Sequence, residues 1–114
     1  MLPPHLRLRS PRDFDALKRQ GQRWRGDRLA LNVMPNNLPH NRFGFVVSGR
    51  VGRAVTRNRV KRRLRAAVRS WLPGLAPGYD VVVVAYPSSA RAAYHDLEDE
   101  LGRLFERANL LAVR

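Results

Sequence analysis

The sequence predicts an α+β domain, and three observations carry that reading. Residues 28–34 and 42–48 alternate apolar and polar with a period of two, and "YDVVVVAY" follows later as a continuous β-branched run, so three strands are expected. Helical periodicity brackets them, in "SPRDFDALKRQG" before and "YHDLEDELGRLFERANLL" after. Between the second and third strands lies "GRAVTRNRVKRRLRAAVRSWL", Gly52 to Leu72, which carries eight positive charges, no negative one and a regular set of large apolar residues. At 114 residues the chain suits one domain spanning 1–114, with residues 1–9 a flexible basic N-terminus.

Taken in order, Ser10 can cap a helix whose first position is Pro11, and Gly21 stops it. A short strand is possible near Arg23 to Arg25. In "RLALNVM", Leu29, Leu31 and Val33 face one way while Arg28, Ala30, Asn32 and Met34 face the other. "PNNLPHN" is a turn cluster, and in "RFGFVVS" Phe43, Phe45 and Val47 take the core side with Arg42, Gly44, Val46 and Ser48 opposite. The two strands read as an antiparallel hairpin. Their outward residues are mostly small or polar, forming a low floor; from alternation alone, a solvated sheet face accounts for it. "LPGLAPGYD" is loop material before the third strand. In the last helix Leu97, Leu101, Leu104 and Phe105 form a buried stripe, and Asp96, Glu98, Asp99 and Glu100 read as a solvated acidic face rather than a carboxylate metal site.

On a helix at about 100° per residue, Val60, Leu64, Ala67, Val68 and Trp71 of the basic segment fall within an arc of roughly 100°, the width of a core-facing stripe. Asn58, Arg59, Lys61, Arg62, Arg63, Arg65 and Arg69 occupy the remaining face. Arg57 lies at the entry turn, with Arg50 and Arg53 just before it. Packing of the apolar stripe therefore holds in place a charge array that is unfavourable alone, and a bound polyanion would relieve it by displacing condensed counterions.

The whole chain has 22 Lys+Arg against 9 Asp+Glu, a formal net charge of +13 that points to a polyanionic partner. Only Lys18 and Lys61 among those cations are lysine, and the planar arginine fork suits the phosphates and bases of structured RNA. Without cysteine there is neither a thiolate nucleophile nor a cysteine-based zinc site. The three histidines form no HxxxH pattern, and no GxSxG elbow, P-loop or dinucleotide fingerprint occurs. No apolar run approaches the ~20 residues that cross a bilayer, and no secretory leader is visible. A cytoplasmic protein with no membrane partner is expected.

"GRAVTRNRVKRRLR" resembles the RNR motif of the bacterial ribonuclease P protein subunit, in which Gly, any residue, Ala, Val, any residue, Arg-Asn-Arg, an apolar residue and Lys-Arg follow one another. It matches at Gly52, Ala54, Val55, Arg57, Asn58, Arg59, Val60, Lys61, Arg62 and Arg65. The likeness extends from "LRLRSPRDFDALKRQG" through "RFGFVVSGRVG" and "GYDVVVVAYP" to "LFERANL". It implies an αβββαβα fold with a four-stranded mixed sheet, in which the RNR helix joins two parallel strands by a left-handed crossover, although about 98% of such connections are right-handed. It also implies the function. The subunit, expected at one copy per RNA, binds the catalytic RNA and the 5′ leader of precursor tRNA, while Mg²⁺ ions held by that RNA hydrolyse the phosphodiester freeing the mature 5′ end.

The resemblance assigns RNA contact to Arg57, Asn58, Arg59, Lys61, Arg62 and Arg65, and the neighbouring cations Arg50, Arg53 and Arg69 extend that face. It places the leader in a cleft between the RNR helix, the sheet and the first helix, which makes Phe14, Lys18, Asn32, Arg42, Gly44, Val46 and Ser48 leader-facing candidates. Two departures fall there: Lys18 stands where the family commonly has a second Phe, and Asn32 where it has Tyr, so base stacking gives way in part to electrostatics. Val46 also replaces a frequent Ser. A non-catalytic ribosomal or RNA-packing protein would explain the charge but not the ordered motif. A DNA-binding recognition helix is disfavoured because the basic helix is tied into a sheet.

Overall fold

In the computed structural model, which describes residues 2–111, the elements follow one another as α1 (Pro11–Gln20), β1 (Gln22–Arg25), β2 (Leu29–Pro35), β3 (Arg42–Val47), α2 (Ala54–Trp71), β4 (Tyr79–Ala85) and α3 (Tyr94–Arg107). Short 3₁₀ turns lie at Pro4–Leu6, Leu72–Gly74 and Pro87–Arg91. The boundaries of α1 follow from local chemistry. Ser10 Oγ accepts the Arg12 N–H at 3.2 Å, and Pro11 opens the helix. At Gly21 a Cβ would lie 2.5 Å from the Leu17 carbonyl oxygen, so the chain leaves the helix through a residue without one.

The sheet runs β1-β2-β4-β3. β1 and β2 form the hairpin, with Gly26 N–H closing on the Leu29 carbonyl at 2.7 Å. The expected β2–β3 hairpin is absent, because β4 lies between those strands, antiparallel to β2 and parallel to β3. Side chains of the intervening loop explain it. Asn36 Nδ2 donates to Asp80 Oδ1 at 3.0 Å, Asn41 Oδ1 accepts Tyr79 N–H at 2.8 Å, and Asn36 N–H reaches the Gly78 carbonyl at 2.9 Å. The loop thus grips the start of β4 instead of folding β3 back on β2. β4 suits the inner place because Val81, Val82 and Val83 are buried whichever face they point to. α2 is then the crossover between parallel neighbours β3 and β4.

α2 and α3 cover one face of the sheet. Val60, Leu64, Ala67 and Val68 of α2 pack with Leu97, Leu101, Leu104 and Phe105 of α3 over Leu31, Phe43, Val81 and Val83. The two helices approach closely where the Trp71 ring lies on Gly102, which has no room for a Cβ, and Trp71 Nε1 donates to the Glu98 carbonyl at 3.0 Å. α1 lies on the other face, where Leu8, Leu17 and Val82 form a smaller cluster flanked by Phe14, Met34 and Val84.

Two further expectations change. Glu100 is no part of a solvated acidic face: it is 3% exposed, accepts the backbone N–H groups of Arg28 and Leu29 at 2.8 Å each, and pairs with Arg28 Nη1 at 3.3 Å. It ties α3 to the turn between β1 and β2, and a Cβ on Gly26 would come within 2.5 Å of its Oε2. The N-terminal segment, expected as a loose arm, lies along the outer edge of β3. Leu2 and Leu8 are buried, Leu8 N–H donates to the Phe43 carbonyl at 2.8 Å, and Arg7 Nε donates to the Leu2 carbonyl at 3.0 Å. This cover shields a strand edge that would otherwise offer unpaired backbone groups.

Candidate nucleic-acid interface

The apolar stripe of α2 fixes the helix rotationally, and its cations then fall into three sets. Asn58, Arg62, Arg65 and Arg69 are exposed on the outward side, and with Lys61 they line a shallow recess of about 590 Å³. No acidic side chain pairs with any of them among the described residues. Arg59 and Arg63 lie on the flank nearer α3 and are engaged with the loop after β4: Arg59 Nη2 donates to the Ala90 carbonyl at 3.3 Å and Arg63 Nη1 to the Ala92 carbonyl at 2.7 Å. Arg57 is half-buried on the opposite flank. Its Nε, like that of Arg59, is covered by protein without a hydrogen-bond partner among the described residues. Arg50 and Arg53 are exposed at the approach to the helix.

A second recess, of about 300 Å³, joins α2 to α1 around the edge of β3. Lys61 and Arg65 line it from α2, Phe14 from α1, and Gly44 and Phe45 from the strand. Arg65 holds its guanidinium 6.0 Å from the Phe45 ring centroid, at the outer limit of a cation–π contact. Arg7 and Arg9 complete the wall. Sequence reasoning passed over both arginines because it treated residues 1–9 as unattached; the alternation of Leu6, Leu8 and the flanking arginines was the available signal.

The leader-facing candidates divide. Gly44 does not form an open floor: it is buried under Phe14, whose Cζ would lie 2.5 Å from a Cβ placed there. The glycine seats the aromatic ring. Arg42 is not a free cation either. Its Nε and Nη2 grip the two oxygens of the buried Asp80 at 2.9 and 2.8 Å, and its Nη1 reaches Asp13 of α1 at 3.5 Å. The Asp80 hydrogen bonds raise the Arg42 pKa, outweighing the effect of burial, and the contacts of Arg42 to Asp80 and Asp13 anchor α1 to the sheet. Ser48 is exposed, but its Oγ accepts the Arg50 N–H at 3.3 Å within a turn. Lys18, Val46 and the half-buried Asn32 remain on the open part of the face. Asn32 is held there by Arg23, a residue with no place in the sequence-level assignment.

Among the described residues, no three His, Cys, Asp or Glu side chains stand close enough to share a metal ion, and the two most buried carboxylates are already hydrogen-bonded. Among those residues the donor set does not fit a protein-held metal. Nor, among the described residues, is any helix long and apolar enough to cross a membrane. What the surface offers is an unopposed cationic face continuous with a recess carrying aromatic residues, a combination suited to phosphate backbone and single-stranded bases.

Comparison with known proteins agrees with that chemistry. The family model for ribonuclease P matches residues 2–109. The ribonuclease P protein component of Roseiflexus castenholzii is 42% identical over 106 residues, covering 92% of this chain and 87% of its own, and that of Synechocystis is 37% identical over 112 residues, covering 96% and 90%. Among solved structures, the RNase P protein of Thermotoga maritima superposes with a TM-score of 0.83 at 28% identity, covering 89% of this chain and 98% of that one. A Staphylococcus aureus RNase P protein mutant reaches 0.88 over 94% and 91% at 21% identity, which shows the shared fold. With a family model matching residues 2–109 and relatives 42% and 37% identical over more than nine-tenths of this chain, the chain belongs to the ribonuclease P protein family.

Proposed function

We propose that this chain, as the protein component of a ribonucleoprotein endoribonuclease, serves two RNAs with two adjoining surfaces. The outward cations of α2, Asn58 and the exposed arginines at its approach bind the phosphate backbone of the catalytic RNA. The recess around β3 and the open sheet face beside α1 take the single-stranded 5′ leader of precursor tRNA. The observation that carries this reading is that Lys61 and Arg65 line both recesses, so one cationic ridge separates a broad phosphate-binding face from a narrow channel holding Phe14 and Phe45.

Hydrolysis of the phosphodiester is assigned to the RNA and to Mg²⁺ ions that it holds, which supply the activated water and stabilise developing charge. The protein's residues lower the electrostatic cost of bringing two polyanions together, because each phosphate neutralised by an arginine releases condensed counterions. One copy per catalytic RNA, working in the cytoplasm, fits a single basic helix with a single adjoining channel.

Reconstitution with the catalytic RNA of the same organism tests the proposal. The protein alone should leave precursor tRNA intact, the RNA alone should cleave it slowly at high Mg²⁺, and the two together should cleave at low Mg²⁺. Cleavage by protein freed of RNA, or an RNA whose Mg²⁺ requirement is indifferent to the protein, would overturn it.

A further inference from the structure

On the open half of the α1 face, three residues from three neighbouring segments converge. Arg23 of β1 donates from Nη1 to Asn32 Oδ1 of β2 at 3.2 Å and from Nη2 to the Tyr86 hydroxyl at 3.3 Å, Tyr86 being the residue just after β4. Tyr86 shares the parity of Val82 and Val84, which face α1, so its side chain belongs to this face. The contrast with Arg42 is informative. Arg42 is neutralised by two carboxylates, whereas both Arg23 partners are neutral and no acid pairs with it among the described residues. Its guanidinium is held in a fixed orientation while its charge and its remaining N–H groups stay available.

Fixing a cation with neutral acceptors has an energetic consequence: the rotamer entropy is lost before any ligand arrives, so less is lost on binding. The half-exposed phenol ring beside it supplies a π-face. From β3 to β1 is three strand spacings, about 14 Å, so Arg23 lies across the sheet from the recess around β3. A strand entering at one sheet edge would meet Arg23 near the other.

We propose that Tyr86 and Arg23 form a nucleotide platform on the far side of the leader path, where one leader base stacks on the Tyr86 ring and Arg23 contacts its phosphate. The platform supplies an aromatic side chain although Asn32 occupies the position where the family resemblance leads one to expect Tyr. This inference rests on the reading that the leader crosses this face, and the test separates the two.

Holoenzyme affinity would be measured for mature tRNA and for precursor tRNAs with leaders of increasing length, using Tyr86→Ala, Tyr86→Phe, Arg23→Ala and, as a probe of the path itself, Val46→Glu. Thermal unfolding of each variant confirms that it folds. Tyr86→Ala should weaken long-leader substrate on the order of 5- to 100-fold and leave mature tRNA unchanged, while Tyr86→Phe, which keeps the ring, retains most of the affinity. Arg23→Ala should flatten the salt dependence of leader binding by about 0.7 in the log–log slope. The losses from Val46→Glu and from Arg23→Ala should set in at different leader lengths. If Val46→Glu produces a leader-dependent loss and neither Tyr86→Ala nor Arg23→Ala does, the platform is wrong and the path stands. If none of the three depends on the leader, the path falls too, and equal losses on mature tRNA overturn the platform as well.

Discussion

The arginines of the sheet and the arginines of α2 have the same chemistry and opposite surroundings. Arg28 and Arg42 each meet a carboxylate that is almost fully buried, Glu100 and Asp80, and those carboxylates also receive hydrogen bonds from the chain around them. Arg62, Arg65 and Arg69 meet none among the described residues. The first pair belongs to folding: the ions stitch α3 to a hairpin turn and α1 to the sheet. The second set leaves its repulsion unrelieved within the protein, which is the arrangement that the proposed RNA contact requires. A net charge of +13 is therefore a poor measure of the RNA-binding surface; the partner of each arginine decides its role.

The largest effect should come from removing an acid on the folding side. Glu100→Ala strips two buried backbone N–H groups of their acceptor and leaves Arg28 unpaired; since Arg28 is about one-third exposed and can rehydrate, the cost should be about 3 kcal/mol, the low end for breaking a buried pair. Urea unfolding measures it. At temperatures where the variant is folded, the salt dependence of binding to the catalytic RNA should match that of the parent. A changed slope would mean the two regions are not separate.

The converse variant, Lys61→Ala/Arg62→Ala/Arg65→Ala, should alter stability by less than about 1 kcal/mol, because none of the three belongs to the buried stripe. Its log–log salt slope for the catalytic RNA should fall in magnitude by about 2 to 3, close to one for each lost phosphate contact. Unchanged slope and affinity would reduce the outward face of α2 to an ordinary solvated surface.

How much of this division could be read from residues alone depends on what each pattern encodes. The α2 stripe was legible because helical spacing specifies a face directly, and Val60, Leu64, Ala67 and Val68 are all buried. Glu100 was legible in principle, since it stands three residues after Leu97 and four before Leu104, on the stripe itself; a carboxylate at that spacing signals a buried pair rather than a solvated acid. The β2–β3 connection was not legible. A cluster of Asn and Pro marks a turn but does not say which strand its side chains will grip, and here they grip β4. Alternation likewise assigned Gly44 to the outward face without revealing that the Phe14 ring covers it. Tyr86, placed at the end of an apolar run, carries no local mark of its link to Arg23.

Arg63 stands between the two classes and gives the smallest effect and the finest test. It lies on the basic helix, yet its Nη1 donates to the Ala92 carbonyl at 2.7 Å, holding the loop between β4 and α3. If a partner defines a role, Arg63→Ala should behave mainly as a loss of one hydrogen bond from a half-exposed guanidinium to the carbonyl of the buried Ala92, costing about 1 kcal/mol. Its salt slope should change by less than half of what Arg62→Ala produces, although the two are neighbours in sequence and equal in charge. Arg63→Lys sharpens the point: it keeps the charge but lacks the planar fork, so it should recover the slope and not the stability. Equal slope losses at Arg62 and Arg63, with stability untouched at both, would show that the bond to Ala92 yields to RNA on binding, and the division between folding and binding arginines would then have to be drawn in the complex rather than in the free protein.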